Sequence, residues 1–260
     1  MKILKVAVVQ LGINDLESKQ ERIARVEGII DDLTGMDLII LPELWNIGFF
    51  SFDRYHAESE TLGGETICRL AVKAAQLNSY IFTGSIVECS NNKYYNTCVM
   101  LNRQGKVIDF YRKMHLFGFG SAERKLLSPG EETVVVDTDF GKIGLSICYD
   151  LRFPELFRRL VDQGAEVIIN CAAWPYPRVE HWNILNQARA IENQCYFISC
   201  GCAGSSNGKA FIGRSMIIDP WGTIVSCASE RETIIKTEIY PENVKAIREE
   251  FSALKDRMIK

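Results

Sequence analysis

The segment Gly144-Leu-Ser-Ile-Cys148-Tyr-Asp-Leu-Arg152-Phe-Pro-Glu155 carries a thiol out of an apolar run and straight into a turn. Lys142 to Ile147 alternates and is mostly apolar, which predicts a buried strand, while Pro154 and Glu155 suit the first turn of a helix running to about Gly164. Cys148 then sits on a strand-to-helix turn, a rigid support from which a side chain can reach a reactant. A thiol with a pKa of about 8.5 is only a few per cent ionised at neutral pH, so a nucleophilic cysteine needs a neighbouring base or cation. Two residues share its setting. Glu43 follows the run Asp37-Leu-Ile-Ile-Leu-Pro42, and Lys113 ends the run that starts at Lys106. A carboxylate there could take the thiol proton and an ammonium could stabilise a developing oxyanion, which makes acyl transfer possible without histidine. Taken singly, each has an ordinary reading: free cysteines are mostly buried packing residues, and most carboxylates and lysines are solvated. Their common position at strand ends, where α/β folds gather ligands, sets them apart.

Other arrangements are testable on spacing. Cys148 and Arg152 stand four apart, too close for the phosphate-cradling C-x5-R loop. Gly144-Leu-Ser146-Ile-Cys148 misses G-x-S-x-G at its last position. The three histidines, His56, His115 and His181, show no metal-ligand spacing with a cysteine or with one another. A Cys-His pair using His115 or His181 stays open on spacing alone. Arg178 has two readings: a solvated or ion-paired guanidinium, or, beside Trp174 on a loop after a strand, a bidentate holder of a substrate carboxylate.

The elements that must position these residues alternate between strands and helices. Met1 to Gln10 predicts a first strand. Ser18 to Leu33, with Ile23, Val26, Ile30 and Leu33 at helical spacing, predicts an amphipathic helix, followed by the short strand before Glu43. An aromatic loop (Trp45, Phe49, Phe50, Phe52, Tyr55) that could wall a pocket leads to a helix over Gly64 to Leu77. Tyr80 to Val87, Tyr95 to Leu101 and Lys106 to Tyr111 predict a meander, with a hairpin turn at Asn102 to Gly105. The glycine-bearing loop Gly118 to Glu123 follows. Thr133 to Asp137 and Lys142 to Cys148 form a hairpin, and Glu166 to Trp174 is an apolar strand of the kind covered on both faces. A helix over Glu180 to Gln194, a strand Tyr196 to Gly201, a loop Gly204 to Gly208, three strands (Ser215 to Pro220, Thr223 to Cys227, Thr233 to Ile239) and a helical segment Pro241 to Lys260 complete the chain. With no linker, low-complexity tract or fixed-period repeat, the 260 residues read as one α/β domain spanning 1–260.

Composition narrows the partners. A hydrophobic fraction of 47% permits a substantial core, and a net charge of −3 with scattered basic residues gives no nucleic-acid footprint. Nine cysteines, an odd number with several in apolar strand-like runs, read as reduced thiols of a cytoplasmic protein. No segment approaches the roughly 18 apolar residues of a membrane span, and the start reads as a strand, not a signal peptide.

Leu41-Pro-Glu43-Leu-Trp45, Tyr111-Arg-Lys113-Met-His115-Leu-Phe117 and Ile147-Cys148-Tyr-Asp-Leu-Arg-Phe-Pro-Glu155 resemble, in order and separation, the three catalytic motifs of the nitrilase superfamily of carbon–nitrogen hydrolases. Trp174-Pro-x-Pro-Arg178-x-x-His-Trp182, Ala188-Arg-Ala-Ile-Glu-Asn193 and Asp219-Pro-Trp-Gly222 resemble the branch containing ω-amidases. The resemblance implies a four-layer α-β-β-α sandwich, with Glu43 as general base, Lys113 as oxyanion stabiliser and Cys148 as nucleophile. It also implies a second glutamate at Glu123 and the Tyr149 backbone N–H as a further oxyanion donor. Asp150 and Arg152 are expected to form an ion pair shaping the turn. The activity it implies is that of an amidase for a small carboxylate-bearing amide, such as 2-oxoglutaramate, with no metal or organic cofactor and with Trp174 and Arg178 near the substrate. N-carbamoyl amino acid hydrolase, deaminated-glutathione amidase and nitrilase use the same site, and a catalytically silent binder is the non-enzyme alternative. The resemblance further implies a homodimer or higher homo-oligomer, with which the aromatic residues Trp182, Phe197 and Phe211 are compatible.

Overall fold

In the computed structural model, which describes residues 2–259, the first strand explains why there are two layers of sheet. Along β1 (Leu4–Gln10) every residue but Lys5 is buried. Leu4, Val6 and Val8 join one core cluster, and Ala7 and Val9 join another. Successive strand side chains point to opposite faces, so this strand must be covered on both sides.

A two-residue β2 (Gly12–Ile13) precedes α1 (Lys19–Asp31). The Ser18 Oγ accepts from the Glu21 N–H while the Glu21 carboxylate accepts from the Ser18 N–H, a reciprocal cap that fixes the helix start. With β3 (Leu38–Ile40) and α2 (Glu65–Leu77), the helices set Ile23, Val26, Ile30, Ile67, Leu70 and Ala74 against Ala7, Val9 and Ile39. The predicted meander is β4 (Tyr80–Ser90), β5 (Lys93–Leu101) and β6 (Val107–Arg112). A one-turn α3 (Glu123–Leu126) lies where a loop was expected to end. Then come the hairpin β7 (Val135–Thr138) and β8 (Gly141–Ile147), α4 (Pro154–Asp162), β9 (Val167–Ala172), α5 (Val179–Asn193) and β10 (Tyr196–Gly201).

β11 (Ala203–Ser206) runs into the segment expected to be a loop and pairs with β2 on one side and with β12 (Lys209–Ala210) on the other, in a small three-stranded sheet. β13 (Met216–Ile218), β14 (Ile224–Cys227), β15 (Thr233–Ile239) and α6 (Asn243–Glu250) follow. The last helix is shorter than predicted. Val244 is its only buried residue, and beyond Glu250 Leu254 packs partly buried on the core from a non-helical backbone. Met1, in the predicted first strand, and Lys260, in the predicted last helix, lie outside the described residues.

The sheets run β15-β1-β3-β4-β5-β6 and β14-β13-β10-β9-β8-β7. They contact through β1 with β10 and β5 with β8, while α1 and α2 cover one and α4 and α5 the other. This is the four-layer α-β-β-α sandwich. β15 crosses back to pair antiparallel with β1 from Leu4↔Ile239 to Gln10↔Thr233, joining a late strand of the chain to the first sheet.

The expected interface aromatics are not at the surface. Trp182, Phe197 and Phe211 are 0%, 0% and 2% exposed, because they pack inside the chain: Trp182 beside Trp174, Phe197 on Phe157 and Phe211 on Phe50. The exposed apolar side chains of this half include Ile184, Ile191, Trp221, Ile224, Val225 and Phe251.

Candidate active site

Four chain segments end at one point between the sheets. Glu43 follows β3 and is completely buried, and the next residue, Leu44, has φ 44° and donates its N–H to Ser85 Oγ at 3.1 Å. Lys113 follows β6, its N–H donating to the Asn96 carbonyl at 2.8 Å. Glu123 opens α3, with its N–H on Ser121 Oγ at 3.1 Å. Cys148 follows β8 and starts a 3-10 turn, Cys148–Arg152, with φ 50°. A left-handed backbone costs an L residue about 1–2 kcal/mol, so the surroundings must hold it there.

Asp150 does most of the holding. Its Oδ2 accepts from the Ile147 N–H at 3.0 Å and the Tyr111 hydroxyl at 2.8 Å, and its Oδ1 accepts from the His115 N–H at 3.1 Å and lies 2.7 Å from His115 Nδ1. The expected Asp150–Arg152 ion pair is therefore absent: the carboxylate, fully buried beneath the turn, is engaged by backbone and by Tyr111 and His115. Arg152 points the other way, bonded to His181 Nδ1 at 3.2 Å and lying 4.7 Å from the Trp174 ring centroid.

The charged groups form one buried cluster. Lys113 Nζ donates to Glu43 Oε1 at 2.7 Å and to Glu123 Oε1 and Oε2 at 3.0 and 3.1 Å, with all three side chains at 0% exposure. Glu43 Oε2 accepts from the Ala173 N–H at 2.7 Å, and Glu123 Oε2 from the Phe117 N–H at 2.6 Å. Burial works to lower the Lys113 pKa, but Glu123, Glu43 and Cys148 outweigh it and the ammonium is held well above its ordinary value. Burial and the Glu43 charge raise the Glu123 carboxyl against the pull of Lys113. The Cys148 thiol is pushed well above its ordinary value by burial and then by Glu43, with Lys113 opposing. A thiol in this state needs a neighbouring base before it can act as a nucleophile.

Cys148 opens into a narrow, largely apolar pocket lined also by Phe49, Phe117, Tyr149, Trp174, Arg152 and Arg178. Trp174 Nε1 donates to the Arg178 carbonyl at 3.0 Å, tying together the ends of the loop between β9 and α5. Neither arginine has a carboxylate partner among the described residues; Arg178 lies over the Phe117 and Phe119 rings. Burial and the neighbouring Arg178 charge draw Arg152 below its ordinary pKa.

The structure thus brings Glu43, Lys113, Glu123 and Cys148 into one cluster and Tyr149, Trp174 and Arg178 to the same pocket. His115 is engaged by Asp150 and stacked on Phe153, and His181 by Arg152. Two residues of the site escape a reading of the sequence. Arg152 there looks like a structural partner of its neighbour. Asn96, which donates to both glutamates, leaves one signal: a polar position in a strand otherwise buried from Asn96 to Leu101. Among the described residues no cluster of His, Cys, Asp or Glu is arranged to hold a metal, and no helix is long and apolar enough to cross a membrane.

Comparison with known proteins agrees with this geometry. The chain is 34% identical over 262 residues to a 2-oxoglutaramate amidase of Paenarthrobacter nicotinovorans, covering 98% of this chain and 89% of that one. It is 36% identical over 237 residues to a 2-oxoglutaramate amidase of Bacillus subtilis (strain 168), covering 91% of each. Its fold superposes on the crystal structure of Saccharomyces cerevisiae Nit3, a member of branch 10 of the nitrilase superfamily, with a TM-score of 0.87 and 33% identity over 99% of this chain and 97% of that one. The family model for carbon-nitrogen hydrolase matches residues 5–249, and the chain belongs to that family.

Proposed function

We propose that residues 1–260 form one amidase domain that hydrolyses a short, linear, carboxylate-bearing amide, an ω-amide such as 2-oxoglutaramate, to the acid and ammonia. The observation that carries the reading is the pair of guanidiniums, Arg152 and Arg178, facing the pocket of Cys148 with no carboxylate of their own among the described residues. An Arg-carboxylate pair is charge-assisted and bidentate, and two such groups favour an anionic substrate over a neutral one. The names of the two amidase relatives point the same way.

Glu43 takes the Cys148 proton as Sγ attacks the amide carbon. The carbonyl electron pair moves to oxygen, which the Lys113 ammonium and the Tyr149 N–H stabilise; the first N–H groups of a helical turn have no acceptor within it. The C–N bond then breaks, the Glu43 proton leaves on ammonia, and a thioester remains. Glu43 activates a water that adds to the thioester; the C–S bond breaks and the thiol is restored. Glu123 holds the ammonium in place from the side opposite Glu43. The enzyme acts in the reducing cytoplasm, consistent with nine cysteines all unpaired. It acts as a homodimer or higher homo-oligomer, for which the exposed Ile184, Ile191 and Trp221 are candidate contacts.

An ammonia-release screen over ω-amides, N-carbamoyl amino acids and nitriles tests the substrate. Carboxylate-bearing ω-amides should turn over fastest. Arg152→Met and Arg178→Met should each raise KM for them at least tenfold, about 1.4 kcal/mol, while leaving a neutral amide within a factor of about three. Equal losses on neutral and anionic amides would count against the reading.

A further inference from the structure

Asn96 is bonded to three of the four residues at the reactive centre. Its Nδ2 donates to Glu43 Oε1 and to Glu123 Oε1, both at 2.8 Å, and its backbone carbonyl accepts the Lys113 N–H at 2.8 Å. The residue is 0% exposed. A side-chain amide has two N–H groups, and both are directed here at carboxylates. Its Oδ1 has no partner among the described residues. Leaving a buried acceptor unsatisfied is unfavourable, so the amide is retained for its donors. The reversed orientation would aim Oδ1 at two carboxylate oxygens, which excludes it.

The charge count says what those donors do. Two buried carboxylates share a single ammonium, since no other Lys or Arg side chain reaches either one among the described residues. Like charges this close repel, so the pair needs donors besides the single ammonium. A neutral donor bonded to both offsets that repulsion without adding a charge that would hold the thiolate or compete for the oxyanion. We infer that Asn96 is a positioning residue that holds the Glu43 and Glu123 carboxylates together against their mutual repulsion and so keeps Glu43 placed to accept the Cys148 proton. This rests on the reading of Glu43 as the general base.

The test is the pH profile of kcat/KM for the preferred ω-amide in Asn96→Asp, Asn96→Ala and Glu43→Gln, with folding checked by circular dichroism and melting. Asn96→Asp keeps the shape, removes both N–H donors and adds a like charge, and the backbone bond to Lys113 remains. Its acid limb should move up by about a pH unit or more. For Asn96→Ala the shift should have the same sign, and in both variants kcat should fall at least tenfold with KM within threefold. An acid limb that superimposes on the parent enzyme in the folded variants overturns the inference, even where kcat drops, because a packing role would lower the rate without moving the limb. Should Asn96→Asp fail to fold, Asn96→Ala is read by the same criterion. Glu43→Gln separates the two claims: full activity in that variant sinks the general-base reading, whereas an inactive Glu43→Gln beside an unshifted Asn96→Asp sinks only the role of Asn96.

Discussion

At the residue scale, Cys148 combines an unfavourable backbone with an unfavourable ionisation. Its φ of 50° is held by Asp150, Tyr111 and Ile147, which fix the turn, while burial and then Glu43 raise the pKa of its thiol. Cys148→Ala should therefore remove ammonia release entirely, while changing stability by no more than about 1 kcal/mol, since the strained backbone and its supports remain. Turnover by the folded variant would contradict the assignment of the nucleophile. Glu43, Lys113 and Cys148 are legible in the sequence because each closes an apolar run that has to be a strand. Arg152 is not. Its neighbour Asp150 offers an obvious partner, and only the three-dimensional turn reveals that this carboxylate faces inward to Tyr111 and His115 while the guanidinium faces the pocket.

At the element scale, the strands are pressed against the loops that carry the chemistry. Gly84 in β4 has φ 65°, and a Cβ built on it would lie 1.9 Å from the carbonyl oxygen of Pro42, the residue before Glu43. Gly130 does the same beside Lys113: a Cβ there would lie 2.1 Å from the Arg112 carbonyl oxygen. Backbone atoms cannot yield as a flexible side chain does, so Gly84→Ala and Gly130→Ala should each cost about 2–4 kcal/mol. In a chain of this length that lowers the melting temperature by roughly 5–15 °C. Each should also lower kcat by displacing Glu43 or Lys113. A melting temperature within about 2 °C of the parent would show that the approach is looser than the structure has it. Long periodic elements such as α1 and α2 are readable from apolar spacing. α3, β11 and β12 are not, because two to four residues are too few to display a period, and their existence depends on partners distant in sequence: Asn96, Lys113 and Phe117 for Glu123, and β2 for β11.

At the scale of the whole molecule, the sandwich buries six thiols, those of Cys98, Cys148, Cys171, Cys195, Cys200 and Cys202, between its layers and around its site. The odd cysteine count and apolar surroundings point to reduced thiols, though which of them share a core depends on the stacking of the sheets. Burial comes first among the causes that raise every one of them: Cys195 to about 12, the other five well above the ordinary value. A raised folded-state pKa means that the unfolded chain loses the proton first. The stability is fully present below the unfolded value of 9.0 and is lost as pH rises from there through the folded values. Lys113 has the same sign in a higher window, above 10.5. One thiol contributes about 1.4 kcal/mol per pH unit inside its window, so six acting together approach about 8 kcal/mol per unit, comparable to the entire roughly 5–15 kcal/mol stability of a folded protein. Under reducing conditions the melting temperature should stay level from about pH 7 to about 8.5 and then fall steeply, with unfolding at room temperature before about pH 11. Replacing Cys98, Cys171 and Cys200 together by Ala should lower the plateau through lost packing yet flatten the alkaline fall by about half. A melting temperature that holds level to about pH 10.5, or a triple variant with an undiminished alkaline slope, would mean that the thiols are not the groups that oppose ionisation in the core.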